Sequence, residues 1–293
     1  MTAAVCPTSQ VLPGPILVFD SGVGGLSIVE ALRERMPDLP LTYACDNAAF
    51  PYGLKSDAWL LERVPEVVAR LIEQVQPCLL VVACNTASTV VLPALRERFQ
   101  LPVVGVVPAI KPAGLMTRSG HIGLLATQGT IQRPYTQRLI EAFAGDCQVT
   151  RVGSNRLVEL AEEAMAGREV PDATLLEILQ PFLEEPRLDT MILGCTHFPL
   201  LQKQLARVAE EAGAQHWQWV DSGAAIARRV LHLLAEAGYH DPCCSDTFAR
   251  SCWLTAPLEP SSQLPLALRT FGFNQLQQLS LPQAMPQTAT LDH

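Results

Sequence analysis

Short, wholly apolar runs alternate with longer stretches of helical period along most of this 293-residue chain, and no other feature of the sequence restricts the fold as much. Such alternation is the pattern of βα units, in which each strand is buried on both faces of a parallel sheet and each helix covers it. The spacing predicts strands at 16–20, 41–45, 78–83, 103–107, 121–126, 147–151, 189–193 and 217–220. Helices are expected at 25–36, 56–75, 86–98, 131–144, 155–166, 173–184, 199–212 and 222–238, from apolar periodicity. The fold class is therefore α/β with doubly wound parallel sheets.

Length divides this array in two, since a domain runs to about 150 residues. The stretch Val107 to Gly114 has two prolines and a glycine after a strand and reads as a crossing between domains; a second crossing is expected near 213–219. The resulting division assigns 1–107 and 219–293 to a first domain and 108–218 to a second. The end beyond Leu281 carries two prolines and small polar residues, the composition of a frayed tail.

The two halves echo each other. Leu80-Val81-Val82-Ala83-Cys84-Asn85-Thr86 matches Met191-Ile192-Leu193-Gly194-Cys195-Thr196-His197: an apolar strand, a small residue, a cysteine, polar groups, then an amphipathic helix. The cysteines are 111 residues apart, roughly one domain length. Ligands of open α/β sheets bind beyond the carboxyl ends of strands, where helix N-termini offer free N–H groups. A thiol there is expected to have its pKa drawn down from about 8.5 towards neutrality by the helix dipole. A lone cysteine at a strand end is usually a small buried hydrophobe; a matched pair is not so easily dismissed.

Composition narrows the chemistry. With 29 acidic against 21 basic residues the net charge is −8, which opposes a broad phosphate-backbone footprint and argues against nucleic acid as the main ligand. The three lysines, Lys55, Lys111 and Lys203, leave few candidates for a Schiff-base cofactor. Nine cysteines and no basic, apolar leader in the uncharged stretch 1–19 argue for free thiols and a cytoplasmic protein. The longest apolar runs, such as Cys78 to Cys84, fall far short of the ~18 residues of a membrane span. His240, Cys243, Cys244 and Cys252 lack the C-x₂₋₄-C spacing of zinc sites, so no metal is expected.

Other strand-to-helix corners supply polar groups. Asp20-Ser21-Gly22-Val23-Gly24-Gly25 departs from the dinucleotide fingerprint, and Asp20 would repel a phosphate; an Asp-Ser pair better suits an ammonium and a small carboxylate. Its alternative reading is an Asp capping its own helix. Asp46 to Gly53 is a loop whose Pro-Tyr-Gly turn can offer backbone N–H groups. Thr127 to Thr130 is a corner where a hydroxyl either caps or binds, and Asp221-Ser222-Gly223 reads as a cap. His197, two residues after Cys195, can take part in proton transfer or stabilise a thiolate.

Together, VFDSGVGGLS at 18–27, DNAAFPYG at 46–53, VVACNTAST at 81–89, GVVPAIKPA at 105–113 and LGCTHFPLL at 193–201 resemble the glutamate racemases. These belong to the cofactor-independent aspartate/glutamate racemases, and the resemblance runs from about Pro15 to at least Ala227. It implies interconversion of L- and D-glutamate without cofactor, supplying D-glutamate for peptidoglycan. It also implies two α/β domains related by a pseudo-two-fold, an interdomain active site, and a C-terminal segment that completes the first domain. Carried over, Cys84 and Cys195 are the acid/base pair, Cys84 acting on D-glutamate and Cys195 on L-glutamate. Asp20, Ser21, Tyr52, Gly53, Asn85, Thr86, Thr130, Thr196 and His197 become substrate-contacting positions, with Asp20 and His197 also catalytic. Glu162 resembles the carboxylate that orients the histidine, with Glu159 as the alternative. The extension before Ile16 and the ELAE wording resemble Gram-negative members activated by a UDP-muramyl-peptide. The rival aspartate racemases end their second motif in Gly-Cys-Thr-Glu, where this chain has His197. A binding module that kept the fold without catalysis is the reading from another class, and solvent deuterium incorporation at Cα separates it.

Overall fold

The computed structural model describes residues 12–239 and 250–281. The N-terminal extension before Leu12, His240, Cys243 and Cys244, and the tail beyond Leu281 lie outside the described residues.

Two parallel sheets organise the chain. The first contains β1 (Ile16–Asp20), β2 (Leu41–Cys45), β3 (Leu79–Val82), β4 (Val103–Gly105), β9 (Ser251–Leu254) and β10 (Gln275–Gln278), in the order β10-β9-β2-β1-β3-β4. The second contains β5 (His121–Ala126), β6 (Gln148–Gly153), β7 (Thr190–Leu193) and β8 (Gln218–Val220), in the order β6-β5-β7-β8. Numbered within its own unit, each sheet carries the same core order, 2-1-3-4, so the sequence echo has a topological counterpart. Strands β1 and β3 are buried throughout, with Ile16 and Val18 in one core and Leu17 and Phe19 in the other. Each fully buried Val or Leu contributes about 1.5–3 kcal/mol, which is why these runs are continuous rather than alternating.

The helices are α1 (Leu26–Arg35), α2 (Asp57–Val75), α3 (Asn85–Arg98), α4 (Ile110–Met116), α5 (Gln128–Gln132), α6 (Pro134–Phe143), α7 (Arg156–Met165), α8 (Asp172–Leu183), α9 (Gln202–Glu211), α10 (Gly223–Glu236) and α11 (Leu264–Thr270). The single helix expected over 131–144 is two, because Pro134 forces Arg133 into an extended conformation (φ −69°, ψ 137°). The crossing expected over Val107 to Gly114 is mostly helix α4: Pro112 sits in its first turn, where a missing N–H breaks no bond. The helix expected from 199 begins as a three-ten turn, Phe198–Leu201, before α9. The return crossing expected within 213–219 follows Val220, since Gln218–Val220 pairs with β7. From there α10 packs against α1, and β9 and β10 extend the first sheet beyond β2. The sequence reading has no counterpart for β9, α11 and β10.

Candidate active site

In a 2-1-3-4 sheet the chain reverses direction between strands 1 and 3, and the crevice at that switch point is where open α/β sheets bind ligands. Asp20 ends β1 and Cys84 follows β3; Thr127 follows β5 and Cys195 follows β7. Both switch points open onto one small cleft, lined by Ser21, Tyr52, Gly53, Cys84, Asn85, Thr86, Cys195, Thr196 and His197, together with Pro51, Leu54, Thr127, Asn155 and Val158. The two thiols are 6% and 7% exposed.

Cys84 is the N-cap of α3, as the sequence implies, yet its pKa is not drawn down. Burial pushes the thiol well above its ordinary range, and the negative charge of Asp20 pushes it further; the Ala87 N–H at the start of α3 opposes both without prevailing. The dipole is outweighed by desolvation of a thiol buried between the two units. Asp20 itself is fully buried. Its Oδ1 accepts the Ser21 N–H at 2.6 Å, and its Oδ2 accepts the Gly25 N–H at 2.7 Å and the Thr196 hydroxyl at 3.3 Å. Burial raises its pKa against the opposing charge of His197 and those N–H bonds.

Cys195 has a different neighbour. His197 Nδ1 lies 3.8 Å from its sulfur, and His197 Nε2 lies 2.8 Å from Glu162 Oε1. Burial alone would lower the His197 pKa, but the hydrogen bonds to Cys195 and Glu162 hold it well above its ordinary value, and both ring nitrogens face groups that can accept from a protonated ring. Glu162 Oε1 also accepts the Val23 N–H at 2.7 Å, tying α7 to the loop after β1. Glu159 points elsewhere, to Arg156; of the two carboxylates weighed from sequence, Glu162 touches the histidine.

This contact also explains the glycines of the first motif. A Cβ on Gly22 would collide with Glu162 Oε1, and one on Gly24 with the His197 ring. The loop is glycine-rich because a carboxylate and an imidazole pack on it, rather than to cradle a phosphate.

The remaining site residues divide. Asn85 is buried and its Oδ1 has no partner, leaving an acceptor facing the cleft. Thr86, Ser21 and Thr196 line the wall. Tyr52 lines it with its ring, but its hydroxyl donates to Asp46 Oδ2 at 2.7 Å, where Arg63 also binds. Thr130 is not on the wall; its hydroxyl accepts from Thr127, the residue that caps α5 and faces the cleft. Asp221 Oδ1 accepts the Gly223 N–H, the capping role expected of it. Pro51 belongs to the Pro-Tyr-Gly turn already singled out, whereas Asn155, Val158 and Leu54 carried no signal beyond their positions at loops and helix starts.

Among the described residues no group of three or more His, Cys, Asp and Glu side chains is placed to hold a metal ion, and no helix is long and apolar enough to cross a membrane.

Known proteins resemble this chain over most of its length. Residues 26–230 match the model of the Asp/Glu/hydantoin racemase family. The glutamate racemase of Pectobacterium atrosepticum is 50% identical over 268 residues, 91% of each chain. That of Klebsiella pneumoniae is 52% identical over 269 residues, 91% of this chain and 92% of the relative. Among solved structures, Escherichia coli glutamate racemase in complex with L-glutamate and the activator UDP-MurNAc-Ala superposes with a TM-score of 0.83 at 49% identity, covering 92% of this chain and 99% of that one.

Proposed function

The chain belongs to the Asp/Glu/hydantoin racemase family, and on that premise we propose that it interconverts L-glutamate and D-glutamate by proton transfer at Cα, with Cys84 and Cys195 as the two acid/base groups. One observation carries the reading: each thiol follows the third strand of its own 2-1-3-4 sheet, and both line one cleft. Inverting a carbon requires a base on one face and an acid on the other. Two sulfurs from separate domains supply opposed groups that exchange roles as the substrate inverts.

In this reading Cys195 takes the proton from L-glutamate and Cys84 from D-glutamate. Asp20 stands behind Cys84 as its proton partner; His197, oriented by Glu162, does the same for Cys195. Ser21, Asn85, Thr86, Thr196 and the backbone at Tyr52 and Gly53 hold the ammonium and carboxylate groups, and Thr130 acts through Thr127. The Cα proton is weakly acidic, so exclusion of water and hydrogen bonds to the α-carboxylate stabilise the carbanionic transition state without a cofactor. The two domains meet at a crossing near residue 107 and a return after Val220. D-Glutamate made this way supplies peptidoglycan synthesis in the cytoplasm.

The Escherichia coli relative was solved with an activator, and we carry that regulation over as a UDP-muramyl-peptide bound away from the thiols that shifts the population towards a closed cleft. Coupling of about 1–3 kcal/mol is the usual scale, and glutamate would tighten activator binding by the same factor.

The test is purified protein with L-glutamate in D₂O, with EDTA, with and without UDP-MurNAc-Ala. Formation of D-glutamate carrying deuterium at Cα is expected, faster with the nucleotide. Unlabelled, unchanged glutamate would leave a binding module; racemisation indifferent to the nucleotide would remove only the regulation.

A further inference from the structure

The polar contacts that join the two α/β units gather around the thiols and at the crossing. Val23 N–H to Glu162, Thr196 to Asp20 and the Ser27 hydroxyl to the Thr196 carbonyl (2.8 Å) surround the site, and Ser222 bonds the Val107 carbonyl where the chain changes units. Away from these, one contact joins the units close to Gly53, which lines the cleft. Arg133 Nη2 donates to Asp57 Oδ1 at 2.9 Å, and among the ion pairs of the described residues it alone links the two units.

The pair is held on stiff supports. Asp57 is the first residue of α2, behind the Ser56 cap, where a negative charge suits the helix dipole. Arg133 is fixed in extended conformation between α5 and α6 by Pro134. Next to it the two edges of the cleft touch: a Cβ on Gly129 would stand 3.0 Å from Arg133 Nη1 and 3.2 Å from the Gly53 carbonyl oxygen. The Arg133 side chain is 13% exposed against 63% for Asp57, and its Nε and Nη1 are buried with no acceptor. A guanidinium has five donors; this one is withdrawn from water for a single partner on the other unit. Its side-chain acceptor, Asp57, belongs to the other unit.

We infer that Arg133 and Asp57 form a latch across the mouth of the cleft, which breaks for glutamate to enter or leave and re-forms to shut the thiols away from water. Opening about the connections at 107–109 and 221–222 parts the Pro51–Asp57 edge from the Thr127–Arg133 edge and returns the guanidinium to solvent. Neither residue reaches the reacting atoms; both are positioning residues. The inference concerns the cleft of the proposed racemase and rests on that reading for its purpose, though its geometry does not depend on catalysis.

Site-resolved alkylation by iodoacetamide, read by mass spectrometry of the Cys84 and Cys195 peptides, tests it in the full chain. Asp57→Asn and Arg133→Gln are each expected to speed modification of both thiols about five-fold, the scale of a partly exposed ion pair. The double variant should be no faster than either single one. In the wild type the rate should rise with added NaCl towards that of the variants, whose own rates stay flat. Buried Cys45 is the control for an intact core. Unchanged rates, additive effects in the double variant, or Cys45 reacting in step overturns the latch. Wild-type protein without racemase activity but with this alkylation pattern would overturn the functional reading and keep the latch; activity with unaltered alkylation would do the reverse.

Discussion

Cys84 and Cys195 occupy equivalent places, after the third strand of a 2-1-3-4 sheet and nearly equally buried, yet their surroundings are not equivalent. Beside Cys84 stands a buried carboxylate, Asp20, delivered by the end of the neighbouring strand β1. By strand register the residue of the second unit that corresponds to Asp20 is Ala126, the last of β5. Beside Cys195 stands an imidazole whose pKa is raised, His197, delivered two residues along the same chain; the corresponding residue after Cys84 is Thr86. Topology sets where a sulfur can stand, and single residues set what charge it meets. A substrate with an ammonium, two carboxylates and a hydrogen on Cα is not symmetric either, so matched sulfurs in unmatched surroundings suit it better than a mirror-symmetric site.

The largest effect should come from removing either sulfur. Cys84→Ala and Cys195→Ala are each expected to lower racemisation by about 10²–10⁴-fold or more. Enantiomers have equal free energy, so kcat/KM must fall equally in both directions, and the difference between the sites shows only in exchange. In D₂O, followed by NMR, Cys84→Ala should still exchange the Cα hydrogen of L-glutamate through Cys195, and Cys195→Ala that of D-glutamate through Cys84. Wild-type racemisation by Cys84→Ala would end the two-base reading.

Next comes the support of Cys195. Glu162→Gln keeps the shape of the carboxylate but loses its charge, and misorientation of His197 should lower kcat about ten- to hundred-fold. Glu159→Gln, which breaks only a surface pair with Arg156, should leave kcat unchanged in the same steady-state assay. Equal losses in both variants would mean that Glu162 acts through the fold of α7 rather than through the histidine.

A subtler comparison concerns Asp20. Its charge helps to raise the Cys84 pKa, so Asp20→Asn should move the pH profile of Cys84 alkylation to lower pH while leaving that of Cys195 in place. A shift of both profiles would show that the carboxylate governs the whole cleft and not one sulfur.

Much of this was readable from sequence because it depends on local patterns. Strands buried on both faces appear as unbroken apolar runs, and β1, β2 and β5 begin and end where those runs do. Both cysteines, Asp20 and His197 were found because each follows such a run. What escaped depends on partners distant in the chain. β10, Gln275–Gln278, is exposed throughout and has no apolar alternation to betray it; its strand character comes from pairing with β9 at the sheet edge. A low pKa for Cys84 is the sequence expectation because a helix start is visible in sequence, whereas burial of the thiol between two units is not. The purpose of Gly22 lies in Glu162, which bonds Val23 across 139 residues, and that of Gly24 in the ring of His197. Glu159 and Glu162 could not be separated by spacing, since both fall near one face of α7; only the position of His197 decides.

The smallest effect is on stability, and it too separates the halves. His197 carries a folded-state pKa well above its ordinary value of about 6.5, because its hydrogen bonds to Cys195 and Glu162 outweigh the cost of its burial. A group whose pKa is raised on folding contributes stability that is fully present below its unfolded pKa and is lost as pH rises through the folded one. His197→Gln should therefore cost about 1–3 kcal/mol, the usual worth of a charge-assisted hydrogen bond, in urea unfolding at pH 6. The difference from wild type should shrink steadily once the pH passes the folded pKa. Asp20, on the Cys84 side, is also raised, by burial, so its ionisation costs stability from its ordinary value of 3.8 upward. A stability gap between wild type and His197→Gln that stayed constant from pH 6 to pH 10 would mean that the ring packs as a neutral group, and the electrostatic contrast between the two thiols would lose its second half.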